Sequence, residues 1–202
     1  METTLEVNSE LLAAARDLFC YPEPGTMQEN LNEMIRIMQW GNSRNIPGIV
    51  KIIDEIEQGR LNWEALQIDY TRLFINSFPQ TKAQPFAGWY LGDTELFGDQ
   101  ERKMRSFYAD YGVYMDEEMT APADHIMVEL EFAALLLDSY EKTGDAKLYL
   151  ALHELIDDHM SRWIPPFAKE IGLYAESDFY RIVADIIMSL LLALQKEMKE
   201  VA

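Results

Sequence analysis

The residues of this chain that are best suited to chemistry are an acid and a histidine that stand side by side, Asp124 and His125. Glu129 follows His125 by four positions, so a helix would place these two side chains on one face. With His159, they would offer a divalent metal ion the carboxylate and imidazole ligands that it accepts. A small metal-dependent hydrolase built on these four residues is therefore one hypothesis.

A structural role explains the same residues without a metal ion. The repeated Glu-x-x-His spacing of di-iron helical bundles is absent. Asp124 in the first turn of a helix would complement the helix dipole. His159 stands four positions before Trp163 and is better suited to a hydrogen bond between helices than to acid or base catalysis. On this balance the sequence predicts no metal site.

The motifs of common catalytic sites are missing from the sequence. We find no phosphate-binding GxxxxGK[ST] or GxGxxG, no GxSxG and no HExxH. Cys20, the only cysteine, stands at the end of an amphipathic segment and has no histidine near it in the sequence. A single cysteine excludes an internal disulfide framework and is typical of a reducing compartment. We therefore expect neither an enzyme nor a bound cofactor.

An aromatic cluster in an irregular stretch is the other candidate for function. Between residues 77 and 93, prolines and glycines interrupt the helical period, yet Phe86, Trp89 and Tyr90 stand beside Pro85. The chain has 35 acidic and 17 basic side chains, a net charge of −18, which disfavours nucleic acid and favours a basic ligand. The acidity could equally serve solubility. With the aromatic residues, it indicates a groove for a peptide that is both basic and apolar.

Helices must position these residues, because apolar residues repeat with the period of an α-helix along most of the chain. Asn8 and Asn62 are suited to cap helices, Pro47 to begin one and Gly144 to end one. The proline pair at 165–166 should break or bend the chain before a last helix from about residue 178 to 198. No strand-like alternation is found, so we predict an all-α helical bundle that forms a single domain over residues 1–202.

The amino terminus and the most apolar run of the chain predict its location. The amino terminus is acidic and has no secretory signal. The run from Ile182 to Leu194 has 13 residues, whereas a membrane span needs about 20, so we expect a buried helix. These features predict a cytoplasmic protein without stable membrane insertion. They leave two oligomeric states open, a monomer and a dimer that exchanges its carboxy-terminal helices around a hinge at residues 165–166.

An ordered series of residues resembles a known family. The series consists of Tyr70-Thr71-Arg72-Leu73-Phe74, Pro85, Trp89-Tyr90, Tyr111-Gly112, Pro122-Ala123-Asp124-His125-Ile126, Glu129-Leu130-Glu131-Phe132 and His159-Met160-Ser161-Arg162-Trp163-Ile164-Pro165. Over about residues 60 to 170 the chain is similar to the TorD/DmsD/NarJ family of redox-enzyme maturation chaperones. The resemblance implies an all-helical cytoplasmic chaperone whose client is typically a molybdenum-cofactor oxidoreductase subunit. It also implies binding of the client's twin-arginine leader, which prevents export until the cofactor is inserted.

The resemblance further implies which residues bind the leader, namely Leu73, Phe74, Pro85, Trp89, Asp124 and His125. With the loop aromatics and the other polar and aromatic residues of the series, the predicted peptide-binding set is Leu73, Phe74, Pro85, Phe86, Trp89, Tyr90, Asp124, His125, Glu129, His159 and Trp163. Arginine pairs bidentately with carboxylates, so Asp124, together with Glu129 or the acidic loop, would engage the arginines. Leu73, Phe74 and Trp89 would cover the apolar part of the leader.

Two departures from the family's pattern leave the identity of the client open. Ala121 stands where the family often has a glutamate before the proline, and Phe86-Ala87-Gly88 replaces a Glu-Ser pair after Pro85. A chaperone of the same fold that grips a mature segment of its client is the alternative to leader binding.

Overall fold

The computed structural model describes residues 7–40, 54–55, 58–77, 80–93, 95–116 and 121–201. Over these residues the chain is helical, and the extended segments form one isolated antiparallel bridge, between Phe86 and His125. The α-helices are α1 (Ser9–Asp17), α2 (Pro24–Trp40), α3 (Trp63–Tyr70), α4 (Ala87–Leu91), α5 (Asp99–Asp110), α6 (Ile126–Thr143), α7 (Ala146–His153), α8 (Ser161–Tyr174) and α9 (Asp178–Val201). The predicted all-α class is confirmed, and the single domain stays a prediction.

The ends of the helices follow the residue types that predict them. The side chains of Asn8 and Asn62 accept hydrogen bonds from the first-turn amides of α1 and α3, over 2.8 and 3.1 Å. Gly144 ends α6 with a positive φ of 67°, which glycine adopts without strain. The helix predicted to begin at Pro47 lies almost wholly outside the described residues.

Aromatic and aliphatic side chains from most of these helices form the core. Helix α1 packs on α6, and α8 packs on α9. Trp163 and Phe167 of α8 are fully buried and contact each other with ring centroids 5.4 Å apart. Phe167 also contacts Phe19, after α1, at 5.8 Å, and Phe74 at 6.2 Å. Each such buried side chain stabilises the fold by roughly 1.5–3 kcal/mol before entropic costs.

The apolar run that begins at Ile182 lies within the last helix. Ile182, Val183, Ile186 and Leu190 of α9 are buried in the core, as the sequence predicts. In the part of the chain that the structure describes, no helix combines the length and apolarity needed to cross a membrane.

The prolines of α8 do not break the helix, so the predicted break at this point is wrong. Pro165 and Pro166 lie inside α8, which continues to Tyr174, and no hinge for exchanging helices is found there. The π-helical segment Glu154–Met160 joins α7 to α8 directly ahead of them. Proline lacks an amide hydrogen and its ring crowds the carbonyl four residues back. For Pro165 and Pro166 these are the carbonyls of residues 161 and 162. The wider π-helical turns end just before them, at Met160.

The stretch from 77 to 93 is less irregular than its prolines and glycines predict. It contains the five-residue helix α4, which carries Trp89 and Tyr90. A second irregular feature lies just before this stretch. Helix α3 continues there as a π-helical turn, Thr71–Ile75, that contains Leu73 and Phe74.

A buried carboxylate holds the start of the last helix. Asp69 of α3 accepts hydrogen bonds from the amides of Glu176 and Ser177, at 3.1 and 2.8 Å, and from the Ser177 hydroxyl at 2.7 Å. Arg72, one turn further on, donates to the same carboxylate at 2.8 Å. Because Glu176 and Ser177 lie more than 100 residues after Asp69 in the sequence, Asp69 ties two distant parts of the chain together.

Replacing this carboxylate should destabilise the whole fold. Asp69→Ala leaves two amides and a hydroxyl without their acceptor and removes one of the acceptors of Arg72, and we expect a loss of about 3–5 kcal/mol in urea unfolding. Asp99→Ala is the matched control, because Asp99 pairs with Arg102 in an exposed setting and should cost at most about 1 kcal/mol. Equal losses for the two variants would contradict a structural role for Asp69.

Candidate functional site

Two backbone hydrogen bonds join the aromatic segment around Phe86 to the pair Asp124 and His125. The amide of Ile126 donates to the Pro85 carbonyl, and the amide of Ala87 donates to the Asp124 carbonyl, both over 2.9 Å. The ring of Phe86 meets the edge of His125, with centroids 5.1 Å apart. Two stretches that lie about 40 residues apart in the sequence therefore form one unit.

Asp124 does not stand in the first turn of α6, where the sequence places it. The amide of His125 bonds back to the Pro122 carbonyl at 3.1 Å, so α6 begins only at Ile126. His125 caps α6, since its Nδ1 accepts the Met127 amide at 3.1 Å. Asp124 instead caps α4, because its Oδ2 accepts the Gly88 amide at 2.8 Å.

Asp93 provides a second carboxylate beside the first. Its Oδ2 accepts the Gln100 amide of α5 at 2.8 Å. A Cβ on Gly88 would come within 2.8 Å of Asp93 Oδ2 and 3.0 Å of Asp124 Oδ2, so glycine is needed for both carboxylates to approach this point. Each carboxylate is thus held in place by a cap that it forms on a neighbouring helix.

These carboxylates line a small cavity, which we call the acidic cavity. It has a volume of about 170 Å³ and is lined by Gln84, Phe86, Gly88, Trp89, Asp93, Glu95, Leu96 and Asp124. No basic residue is among them. Asp124 is only 1% exposed, and its Oδ1 accepts no hydrogen bond from any described residue. A buried carboxylate oxygen without a donor is costly, so this atom calls for a ligand that donates hydrogen bonds.

The electrostatics of the acidic cavity favour a cation. Burial raises the pKa of Asp124, the Gly88 amide lowers it in part, and the nearby charges of Glu101 and Asp93 add to the rise. Burial lowers the pKa of His125 to about 4, so its ring is neutral at pH 7 and does not offset the carboxylates. A bound cation would relieve the repulsion between Asp93 and Asp124.

Several residues of the predicted peptide-binding set lie in the core instead. Leu73, Phe74, Pro85 and Trp163 are buried. Tyr90 stacks on Trp163 with centroids 6.0 Å apart, and its hydroxyl donates to Glu170 at 2.6 Å. Trp89, by contrast, is 48% exposed at the mouth of the acidic cavity. The structure thus brings Phe86, Trp89 and Asp124 together around one opening, with His125 against Phe86.

Glu129 and His159 form a separate buried pair. Glu129 is fully buried; its Oε1 lies 2.6 Å from His159 Nε2, and its Oε2 accepts the Trp163 indole N–H at 3.0 Å. Burial alone would lower the pKa of His159, but the Glu129 carboxylate outweighs it and raises that pKa. Burial raises the pKa of Glu129, and its bonds to His159 and Trp163 offset part of the rise. His159 therefore bonds between helices, as the sequence predicts.

The hydrolase hypothesis has no support in this arrangement. Across the described ranges, no three of the potential ligands histidine, cysteine, aspartate and glutamate are grouped so that they could hold a metal ion. Both oxygens of Glu129 and the Nδ1 of His125 are already used in hydrogen bonds within the fold.

Five residues of the acidic cavity were not in the predicted set: Gln84, Gly88, Asp93, Glu95 and Leu96. Asp93 follows Gly92, whose φ of 99° ends α4, and it stands shortly before Gly98, the cap of α5. An aspartate between a glycine that ends one helix and a glycine that precedes the next is a usable signal for a turn whose side chain caps the second helix. Its proximity to Asp124, however, depends on contacts between distant segments.

Comparison with known proteins places the chain in a family. The sequence model of the nitrate reductase delta subunit family matches residues 21–169, which is most of the chain. The chain belongs to this family. The predicted resemblance to redox-enzyme maturation chaperones is thereby confirmed.

Members and relatives of this family have names that agree with a chaperone. Chaperone protein TorD of Vibrio parahaemolyticus is 27% identical over 71% of this chain and 70% of its own length. Chaperone protein TorD of Photobacterium profundum is 29% identical over 61% of this chain and 59% of its own length. A crystal structure of a candidate redox enzyme maturation protein from Archaeoglobus fulgidus shares the fold, with a TM-score of 0.57, 24% identity and 98% of each chain covered. The prediction of a chaperone and not an enzyme agrees with these names.

The buried pair makes the stability of this family member depend on pH. Both pKa values are raised in the folded state, so the folded state binds these protons more tightly, and stability falls as pH rises. For His159 the loss begins near its ordinary pKa of 6.5 and continues through the higher folded value. Glu129→Gln should lower stability by about 1–3 kcal/mol near pH 6 and reduce this slope. Urea midpoints from about pH 6 to pH 9 measure it.

The control for this prediction lies two residues away on α6. Glu131 is exposed and pairs with Arg16, so Glu131→Gln should keep the pH dependence of the wild type. If Glu129→Gln and the wild type lose stability in parallel as pH rises, the pair does not titrate as described.

Proposed function

We propose that this chain is a cytoplasmic chaperone that binds a molybdoenzyme subunit through its twin-arginine leader, during cofactor insertion and before export or assembly. The family and the names of its relatives support a chaperone of redox enzymes. The resemblance of the sequence supports the molybdoenzyme client and the leader. The acidic cavity supports the site at which the leader's arginines bind.

The observation that carries this proposal is the unbonded oxygen of Asp124. This oxygen is buried, and its residue lines a cavity that also contains a second carboxylate, Asp93, and has no basic residue among its lining residues. A cation with several N–H donors would satisfy it and offset the charge of Asp93 as well. The volume of about 170 Å³ suits one charged head group and excludes a large ligand.

Arginine fits this cavity better than lysine. The guanidinium group is planar, is more weakly hydrated than an ammonium group and has five donors, so it can bond to two carboxylates from one position. Phe86 and Trp89 provide aromatic faces in the same wall, on which a guanidinium plane can stack. A lysine would have to give up more hydration for fewer hydrogen bonds.

The apolar part of the leader needs exposed side chains to contact. Leu73 and Phe74, which the resemblance implies for this role, are buried in the core. Trp89 and Leu96 are 48% and 49% exposed and stand at the rim of the acidic cavity. We therefore assign the first apolar contacts beside the arginines to Trp89 and Leu96. The net charge of −18 would speed the approach of a basic leader.

Calorimetry with leader peptides tests the recognition of arginine. The wild type should bind a twin-arginine leader peptide more tightly than its double-lysine variant. Asp124→Asn keeps the side-chain shape but removes the charge, and should weaken binding of the arginine peptide about 30-fold or more. Glu95→Gln, at an exposed position of the cavity, should weaken it less.

Controls separate the site from the fold. Glu64→Gln, an exposed substitution on α3, should leave binding unchanged. Unchanged urea midpoints for Glu95→Gln ensure that its effect is local. Equal binding of the arginine and lysine peptides would exclude arginine recognition, and no binding of either would exclude the leader as the ligand.

Binding should also release a proton at acidic pH. Because the pKa of Asp124 is raised in the free protein, a fraction of this carboxyl is protonated as pH falls, and an arginine must then displace the proton. Affinity should fall as pH is lowered through the raised pKa of Asp124, with proton release measured by calorimetry in buffers of different ionisation enthalpy. Asp124→Asn should lose most of this proton release. If its proton release equals that of the wild type, Asp124 is not the group that binds the cation.

A further inference from the structure

A second and larger cavity is lined in part by residues close in sequence to Asp124. This apolar groove has a volume of about 600 Å³ and lies between α1, the segment that follows α5, and α6. Apolar side chains form most of its walls, among them Val113, Met127, Val128, Phe132 and Leu135, with Cys20 at one side. Leu135 is 42% exposed and Tyr114 is 78% exposed. Exposed apolar side chains beside a groove of this size are typical of a binding surface.

The charges at the rim of the groove are mostly negative. Asp17, Asp116 and Glu131 line it, and Arg16 is the basic residue in its lining. Arg16 is engaged by its acidic neighbours, since it pairs with Asp17 at 2.7 Å and with Glu131. The rim therefore favours an apolar occupant that carries positive charge. A second copy of this chain is disfavoured, because two molecules with a charge of −18 repel each other.

Neighbouring residues of one segment line the apolar groove and the acidic cavity. Asp124 lines the acidic cavity, whereas Ala121, Met127 and Val128 line the groove. Residues 124 and 128 are four positions apart, so their Cα atoms are separated by at most about 14 Å. A single extended peptide can therefore reach both sites with a connecting segment of about four residues.

We propose that the apolar groove holds the apolar stretch of the same leader, one of whose arginines enters the acidic cavity. This inference rests on the proposed function. Once the arginines are bound, the apolar stretch is held near the groove at a high effective concentration, so the two contacts strengthen each other. The chaperone would then recognise both features of a leader, adjacent arginines and the apolar residues that follow them.

The thiol of Cys20 offers a direct measurement of occupancy. It is the only cysteine of the chain and lines the groove, so alkylation at this thiol reports on access to the groove. Burial and the charge of Asp17 raise the pKa of this thiol, so the reaction is best followed at mildly alkaline pH. A leader peptide with arginines and apolar stretch should slow alkylation about tenfold at saturation. A peptide truncated after the arginines should leave the rate unchanged.

A substitution at the rim gives an independent measurement. Leu135→Glu adds a charge beside the groove at a partly exposed position, and should weaken the full leader about tenfold or more without affecting the truncated peptide. Leu150→Glu is the matched control, because Leu150 is exposed on α7 and is not among the groove's lining residues. It should bind both peptides as the wild type does.

The outcomes separate the two proposals. If the full leader binds in calorimetry but leaves Cys20 reactive, and Leu135→Glu binds it normally, the groove is not the site of the apolar stretch and the leader-binding function stands. If neither peptide binds the wild type, the proposed function itself fails. Protection of Cys20 by the full leader, lost in Leu135→Glu and kept in Leu150→Glu, supports the groove.

Discussion

The hydrogen bond from the Gly88 amide to Asp124 is the interaction on which the candidate site depends. It fixes the start of α4 against the turn that precedes α6, and the backbone bonds on either side of Phe86 and His125 complete the junction. One oxygen of the Asp124 carboxylate is consumed by this structural bond. The other is left buried without a donor. A single side chain therefore helps to shape the acidic cavity and also carries a buried oxygen without a donor.

Comparison of two buried acids shows why one belongs to a site and the other to the scaffold. Glu129 and Asp124 are five positions apart, and both are almost completely removed from solvent. His159 and Trp163 each bond to one oxygen of Glu129, so both of its oxygens have a partner within the fold. Only one oxygen of Asp124 has a hydrogen-bond donor. Asp93 adds a second negative charge to the same cavity, which has no basic residue among its lining residues. Burial does not distinguish Asp124 from Glu129, because both are buried. The carboxylate oxygen of Asp124 that lacks a hydrogen-bond donor does distinguish them.

Much of the fold could be predicted from the sequence, because local signals decide it. Asn8, Asn62 and Gly144 act within one helical turn, and the apolar stripes need only the helical period. The features that escaped prediction depend on contacts between distant segments. Pro165 lies inside a helix that continues beyond it, and Asp93 reaches Asp124 only through the packing of α4 and α5. Leu73 and Phe74 looked available for a ligand, yet the tertiary core covers them.

The brevity of α4 has a consequence for how the chaperone meets its client. A helix of five residues has no stability of its own in water, so α4 exists only while Asp124 and the core beneath Tyr90 hold it. The acidic cavity and the exposed Trp89 must therefore appear and vanish together with the tertiary structure. A partly unfolded chaperone would lack the proposed binding site, whereas a fully folded one presents all of it. Under the proposed function, client binding would in this way be restricted to chaperone molecules that have finished folding themselves.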